Sequence, residues 1–415
     1  MNDQRVRKKE IMQNLINLHQ LTFEVTDDCN LCCRYCGYGE MYMDSTERGK
    51  SYLNINMVMP LLEYLTSLWT NNVSDAKSPI TYISFYGGEP LLNMSFINDI
   101  ISYFGSKNLN RRIRFSMTTN AVLLNRYMEY LVNKNVHLLI SLDGDRMGQS
   151  YRVDYSGKNS FDKVYDNVRL LKDKYPDYFE DNVNFNAVLH NRNSIERIVN
   201  YIQESFGKTP RVSELRISGI RSDKRDVFLR TYRNKYDSLH QSDNYEKLAD
   251  EMFVNEPSTH DLLVYLHQYS GNVFRSYNDL FVNNSRRNCI PTGTCSPFSK
   301  KMFVTAKGEI LQCEKIDYKF SLGAVSEDGL ELSIESIVSR FNGYLDNMQR
   351  RCSACYRKES CIQCLYYVEG MNEKTPVCQG FMNNKDFAAY SSRCLNHLRM
   401  HPKLYRRLME EVVVE

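Results

Sequence analysis

The chain has 415 residues, 42% hydrophobic and 25% charged, a balance that suits a folded globular protein and excludes a disordered one. A formal charge of +3 is too small for nucleic acid to be the main partner. Met1–Glu10 is polar where a signal peptide is apolar, and no run of about 18 apolar residues follows, so a cytoplasmic protein with no membrane partner is expected.

In chain order, residues 1–20 read as a helical extension. Six short apolar or β-branched runs then predict strands buried on both faces: Leu21–Thr26, Ile80–Tyr86, Ile113–Thr118, His137–Leu142, Val183–Leu189 and Glu214–Ile220. Helical faces lie between them. Leu61, Leu62, Leu65, Leu68 and Trp69 form one; Ile97, Ile100, Ile101 and Phe104 form another, with Ser95 expected as its N-cap. Ser160 and Ser194 stand ahead of two more. Six β–α units over residues 21–220 imply an α/β fold with a parallel sheet, either a partial (β/α)6 barrel or a doubly wound sheet. Residues 221–285 are charged, Tyr-rich and helix-like, and read as a bridge. Residues 286–394 are loop-rich, and 395–415 read as a C-terminal helix.

Thirteen cysteines are many for a reducing compartment, and they cluster: four between Cys29 and Cys36, eight between Cys289 and Cys378, and Cys394 alone. Chance burial does not cluster residues; metal ligation does. Bound metal would then supply folding energy to the loop-rich region. At the end of the first predicted strand, Cys29, Cys33 and Cys36 are separated by three and two residues. Three thiolates on one loop can hold three irons of a four-iron cluster and leave the fourth open, as a catalytic site requires. A zinc knuckle is the competing reading. Cys32 is a spare thiol.

This spacing resembles that of the radical SAM superfamily. The resemblance implies S-adenosylmethionine chelated to the open iron and cleaved reductively to a 5′-deoxyadenosyl radical that takes hydrogen from a substrate. Three further segments carry the likeness. Gly87-Gly88-Glu89-Pro90 ends the second strand, where glycines let the backbone approach a ligand and acceptors receive its ammonium protons. Asn120 ends the third strand, where the family lines the nucleoside. Ser141 ends the fourth, and with Arg152 it matches residues that hold the SAM ribose and carboxylate; a guanidinium suits a carboxylate by its two parallel donors. The aromatic residue that often follows the last cysteine directly is displaced here by Gly37, ahead of Tyr38.

The C-terminal spacing resembles the SPASM domain of peptide-modifying radical SAM enzymes. By position, that implies one auxiliary four-iron cluster on Cys289, Cys295, Cys313 and Cys364 and another on Cys352, Cys355, Cys361 and Cys378. Two residues separate Cys361 from Cys364 where the family has three. Two zinc sites are the alternative. Sulfatase maturases place a proton-accepting aspartate after the cysteine matching Cys313; here Glu314 stands there, a candidate catalytic base.

The cofactors expected are therefore S-adenosylmethionine and three four-iron clusters. The activity expected is maturation of a ribosomally made precursor peptide by a cross-link, thioether or epimerisation. A reductant such as flavodoxin or ferredoxin is the second partner. About twenty residues precede the first strand, too few for a leader-binding domain, so the bridge or a separate protein is expected to hold the leader. The alternatives are a sulfatase-maturing enzyme and a non-catalytic iron–sulfur electron carrier.

Overall fold

The computed structural model describes residues 5–42, 49–72, 80–217, 219–269, 295–358, 361, 363–373 and 375–412. It divides into two compact units.

The larger unit comprises Gln13–Glu251 and Lys300–Leu332. Its sheet begins with six parallel strands that lie side by side in chain order: β1 Gln20–Thr26, β2 Ile80–Gly87, β3 Arg112–Thr119, β4 His137–Ser141, β5 Val183–Val188 and β6 Arg211–Ser213. A doubly wound sheet reverses its strand order; this one does not, so the winding is that of a barrel. The central strands are buried on both faces, which is why β1 reads as a near-continuous apolar run with Leu21, Phe23 and Val25 fully buried.

Six helices fill the crossovers: α1 Ile55–Asn71, α2 Met94–Gly105, α3 Leu124–Asn133, α4 Phe161–Lys174, α5 Pro176–Asn182 and α6 Ile195–Phe206. The apolar stripe on α1 buries Leu61, Leu62, Leu65 and Trp69, with Leu68 half-buried at its margin. Ser194 caps α6 by accepting from the Arg197 amide. Ser95 does not cap α2. Asn93 does, accepting from Phe96 N while its Nδ2 donates to Val25 O at 2.7 Å and Leu53 O at 2.9 Å. One side chain that both caps the helix and fastens it to β1 starts the helix two residues early and leaves Ser95 exposed in its first turn. Ser160 also makes no capping bond; Asn159 Oδ1 accepts from Phe161 N instead.

The sixth strand is shifted from its predicted place. Arg211–Ser213 pairs with Asn186–Val188, and the apolar residues after it contribute only an isolated bridge from Ile220 to Tyr42. Glu214 ends the strand, its carboxylate accepting from Lys235 N at 2.6 Å and Tyr232 Oη at 3.3 Å. A second difference concerns residues 301–331, read from sequence as loop-rich C-terminal chain. They form β7 Lys301–Val304, β8 Glu309–Leu311, β9 Gly323–Ser326 and β10 Gly329–Glu331, and extend the same sheet. Strand β7 lies parallel to β1, burying Met302, Phe303 and Val304 along Leu21–Phe23.

The smaller unit comprises Met1–Met12, Met252–Ser299 and Ser333–Glu415. Helix Ile334–Ser353 buries Ile337, Phe341 and Leu345, and Asn342 exchanges two hydrogen bonds with the backbone of Val6. Leu262, Leu266, Tyr390, Cys394 and Leu408 form a separate apolar core. Cys394 is thus a core residue, its thiol pushed up to about 11 first by burial. Among the described residues, no helix is long and apolar enough to cross a membrane.

One turn sets how β2 meets its neighbours. A Cβ on Gly88 would stand 1.8 Å from the Asp28 carbonyl oxygen, so only glycine lets this turn close against the loop after β1. The next residue, Glu89, is fully buried and accepts from Thr119 Oγ1 at 2.6 Å, Asn120 N at 2.8 Å and Leu91 N at 3.1 Å. Burial raises its carboxyl from the ordinary 4.5 to about 7, against the pull of those donors. A raised folded-state value favours the protonated form. Its contribution is therefore complete below pH 4.5 and lost as pH rises through 7, about 3 kcal/mol at most. Urea unfolding at pH 5 and pH 8 should show wild-type stability falling by up to that amount, and Glu89→Gln flattening the slope. An equal slope in both proteins would remove Glu89 as its source. Gly88→Ala should destabilise at either pH, by about 1–3 kcal/mol.

Candidate active site at the carboxyl ends of the parallel strands

The loop after β1 presents Cys29, Cys33 and Cys36 from one short stretch. Cys29 is buried, Cys33 and Cys36 are half-buried, and Cys32 is exposed. The loop is fastened by its backbone: Cys32 N donates to Val153 O at 2.7 Å and Arg34 N to Tyr151 O at 3.0 Å. Burial pushes the Cys33 thiol up to about 12, against the Arg152 charge, with Cys36 and Cys29 pushing the same way. The three sulfurs are thus within electrostatic reach of one another. Among the described residues, no three His, Cys, Asp or Glu side chains converge as a single metal ion would require.

Asn120, at the end of β3, reaches this loop directly. Its Nδ2 donates to Asn30 Oδ1 at 2.7 Å and approaches Cys29 Sγ at 3.7 Å, while its backbone amide is held by Glu89. Gly87 and Gly88 end and follow β2, and Pro90 opens the helical turn that Glu89 caps. Ser141 closes β4 and is buried. The segments that sequence placed around one ligand therefore do gather at the same end of the sheet.

Arg152 sits differently from expectation. Its Nε and Nη2 donate to the two oxygens of Asp143 at 3.0 and 3.1 Å, and its guanidinium lies 5.5 Å from the Tyr35 ring. The fork expected to grip a ligand carboxylate thus grips a protein carboxylate. Asp143 is fully buried and also accepts from Tyr35 Oη and from Val188 N at 2.9 Å. His190, fully buried at 3.9 Å from it, is held neutral chiefly by burial. For Asp143, an acidic residue just past the carboxyl end of a parallel strand is the signal the sequence offers.

A third buried carboxylate was missed entirely. Glu24 interrupts the apolar run of β1, and Tyr86 pairs with it on β2. Glu24 Oε2 accepts from Ala306 N at 2.9 Å and Tyr318 Oη at 3.3 Å, while Oε1 is buried with no hydrogen-bond partner. Burial raises its carboxyl; the Ala306 amide and the Tyr38 hydroxyl pull it down, and the Asp27 charge raises it again. One acidic residue in an otherwise apolar strand was the sequence signal. Glu314 is ion-paired with Lys301 at 2.9 Å, both side chains mostly buried, and its charge reaches Tyr86.

In the smaller unit, Cys352, Cys355, Cys361 and Cys378 influence one another. Burial pushes the Cys352 thiol up to about 12, and the other three push it further. Cys295 and Cys364 belong to this unit as well, Cys313 belongs to the larger one, and Cys289 lies outside the described residues.

Two observations test whether a four-iron cluster and S-adenosylmethionine suit the loop after β1. The donor set is three thiols, which is the ligand type such clusters take. Asn30 Nδ2, next to Cys29, is buried with no partner, a donor left for an incoming acceptor. The residues fit.

Residues 23–204 match the family model of the radical SAM superfamily. A cysteine-type anaerobic sulfatase-maturating enzyme of Clostridium novyi is 26% identical over 161 residues, covering 37% of this chain and 40% of the relative. The radical SAM cyclopropyl synthase TigE of Paramaledivibacter caminithermalis is 27% identical over 198 residues, covering 46% of this chain and 39% of that one. The matched region is thus about 40% of each relative's length. A solved structure of native anSMEcpe with bound AdoMet and Cp18Cys peptide superposes with a TM-score of 0.60 at 17% identity, covering 94% of this chain and 98% of that one. At that identity the likeness is one of fold. Residues 23–204, with the cysteine loop and strands β2 to β5 inside them, form a radical SAM domain.

Proposed function

We propose that this chain is a radical SAM maturase of a ribosomally made peptide. The observation that carries the reading is the joining of the Cys29–Cys36 loop to the ends of β2, β3 and β4 through Glu89, Asn120 and the Asp143–Arg152 pair. In this reading Cys29, Cys33 and Cys36 hold the catalytic cluster. Gly87, Gly88, Glu89, Pro90, Asn120, Ser141 and Arg152 shape the SAM pocket. Cys352, Cys355, Cys361 and Cys378 hold one auxiliary cluster, and Cys289, Cys295, Cys313 and Cys364 supply the ligands of another. When bound, these groups supply a 5′-deoxyadenosyl radical and an electron acceptor.

The chain's own residues supply the remaining chemistry. Abstraction leaves a carbon radical, and closing a new bond requires loss of one more electron and one proton. Two carboxylates can take that proton. Glu314 is ion-paired with Lys301, and Glu24 has one oxygen bare. Glu314 lies one residue from Cys313 and is the first choice; removing a positioned base typically lowers rate about 10²–10⁴-fold. The names of the sulfatase-maturating relatives support a second reading, formylglycine formation on a sulfatase.

Anaerobically reconstituted chain should bind roughly twelve irons, four per cluster. About eight irons would mean that the Cys289 set holds none, and zinc in place of iron would overturn the reading of the C-terminal cysteines. Replacing Cys29, Cys33 and Cys36 by Ala should abolish 5′-deoxyadenosine formation; persistence of that product would remove the loop from its assigned role. Glu314→Gln should keep iron content and 5′-deoxyadenosine while losing most modified peptide. Full turnover in that variant, with loss in Glu24→Gln, would transfer the base to Glu24. A cysteine- or serine-containing sulfatase peptide incubated with the enzyme and probed with a hydrazide decides for or against the second reading.

A further inference from the structure

The carboxyl ends of β4 and β5 carry a second feature that the proposed chemistry does not use. A cavity of about 490 Å3 opens there, within the range of about 300–1,000 Å3 that ligand clefts occupy. Its lining holds three arginines, Arg192, Arg197 and Arg233, against one carboxylate, Glu196. Glu196 accepts from Asn244 Nδ2 at 3.2 Å, and Arg197 is neutralised by Asp145 at 2.6 Å. The other two arginines are different. Arg192 donates to Ser150 Oγ at 3.0 Å and lies 4.2 Å from the Tyr151 ring. Arg233 donates to Asn193 O at 2.7 Å and Gln241 Oε1 at 3.2 Å. Both are half-buried, and among the described residues neither pairs with a carboxylate. A half-buried guanidinium with only neutral partners is stabilised further by an anion.

The start of α6 also borders the cavity, but three of its first four backbone donors are taken. Ile195 N donates to Ser238 Oγ, Arg197 N to Ser194 Oγ and Ile198 N to Ser194 O. A single remaining amide, that of Glu196, is too few for a phosphate cradle. What remains is guanidinium, which matches a planar carboxylate in two parallel bonds, beside amide and hydroxyl side chains that suit a peptide backbone. Behind its lining, Tyr151 links the cavity to the cysteine loop. Tyr151 donates through Oη to Asn191 Oδ1 at 2.9 Å, accepts from Arg34 N, and meets Tyr35 edge-on at 6.3 Å.

We propose that this cavity docks an acidic segment of the peptide substrate, its Asp or Glu carboxylates engaging Arg192 and Arg233. This rests on the reading of the chain as a peptide maturase. It gives the leader a place on the barrel rim itself.

The test is fluorescence anisotropy of the full chain with a labelled peptide alternating Glu and Gly. The Gln counterpart should bind at least tenfold more weakly, and so should the double variant Arg192→Gln/Arg233→Gln against the Glu peptide. Arg192→Lys/Arg233→Lys, which keeps the charges, should recover part of the affinity and shows that loss is not misfolding. Wild-type affinity in the Gln double variant would overturn the proposal, as would displacement of the peptide by millimolar inorganic phosphate. Because binding is read without turnover, the two readings separate. Acidic-peptide binding with no modification of any peptide would remove the maturase and leave the dock. Modification of peptides lacking acidic residues, at unchanged KM, would do the reverse.

Discussion

Asp143 is the point on which the arrangement around the cysteine loop depends. A fully buried carboxylate survives in a fold only when its lone pairs are occupied, and here four donors occupy them: two from Arg152, one from Tyr35 and one from Val188 N. Those donors come from the chain beyond β4, the cysteine loop and β5. Removing one partner would leave the other charge buried and unpaired, which typically costs about 3–5 kcal/mol. The pair therefore acts less as a source of stability than as a constraint. The cysteine loop, β4 and β5 cannot move apart without exposing an ion to a low-dielectric interior.

Glu89 does the same work one gap earlier with neutral donors. It ties the turn after β2 to Thr119 and Asn120 at the end of β3, and through Asn120 to Asn30 beside Cys29. Glu89 has only hydroxyl and amide dipoles as partners, so burial wins and its carboxyl rises to about 7. Glu24 completes the series: amide and phenol partners on one oxygen and none on the other. Two carboxylates are fully engaged in holding strand ends together, and the third retains a free lone pair.

Much of this was legible in the sequence because it depends on periodicity and local spacing. Five of the six parallel strands stand within a residue or so of their predicted bounds, since a strand buried on both faces must be an apolar run. The cysteine spacing lies within one loop and needs no tertiary information. What failed required knowing who lies opposite whom. Ser95 looks as good a cap as Asn93 until the carbonyls of Val25 and Leu53 are placed beside the latter. Residues 301–304 gain a partner only because β1 has an open edge about 280 residues earlier in the chain, a separation at which local pattern is silent. For Arg152 the sequence points to a ligand carboxylate, whereas in the fold its fork meets Asp143, nine residues away, a pairing that spacing alone does not reveal.

The position of Arg152 bears on how the site handles charge. The Arg152 charge pulls the Cys33 thiol down, but burial outweighs it and leaves the thiol at about 12. Were Cys33 a cluster ligand, as proposed, binding would release that proton and place negative charge on the loop. The Arg152 field would then act on the loop as well as on Asp143. The residue that fixes the loop would in that way also favour its loading. A buried ion pair costly to assemble is retained where one member has a second anion to answer, and at the neighbouring rim Arg192, stacked on Tyr151, stands in the same relation to an anion from outside.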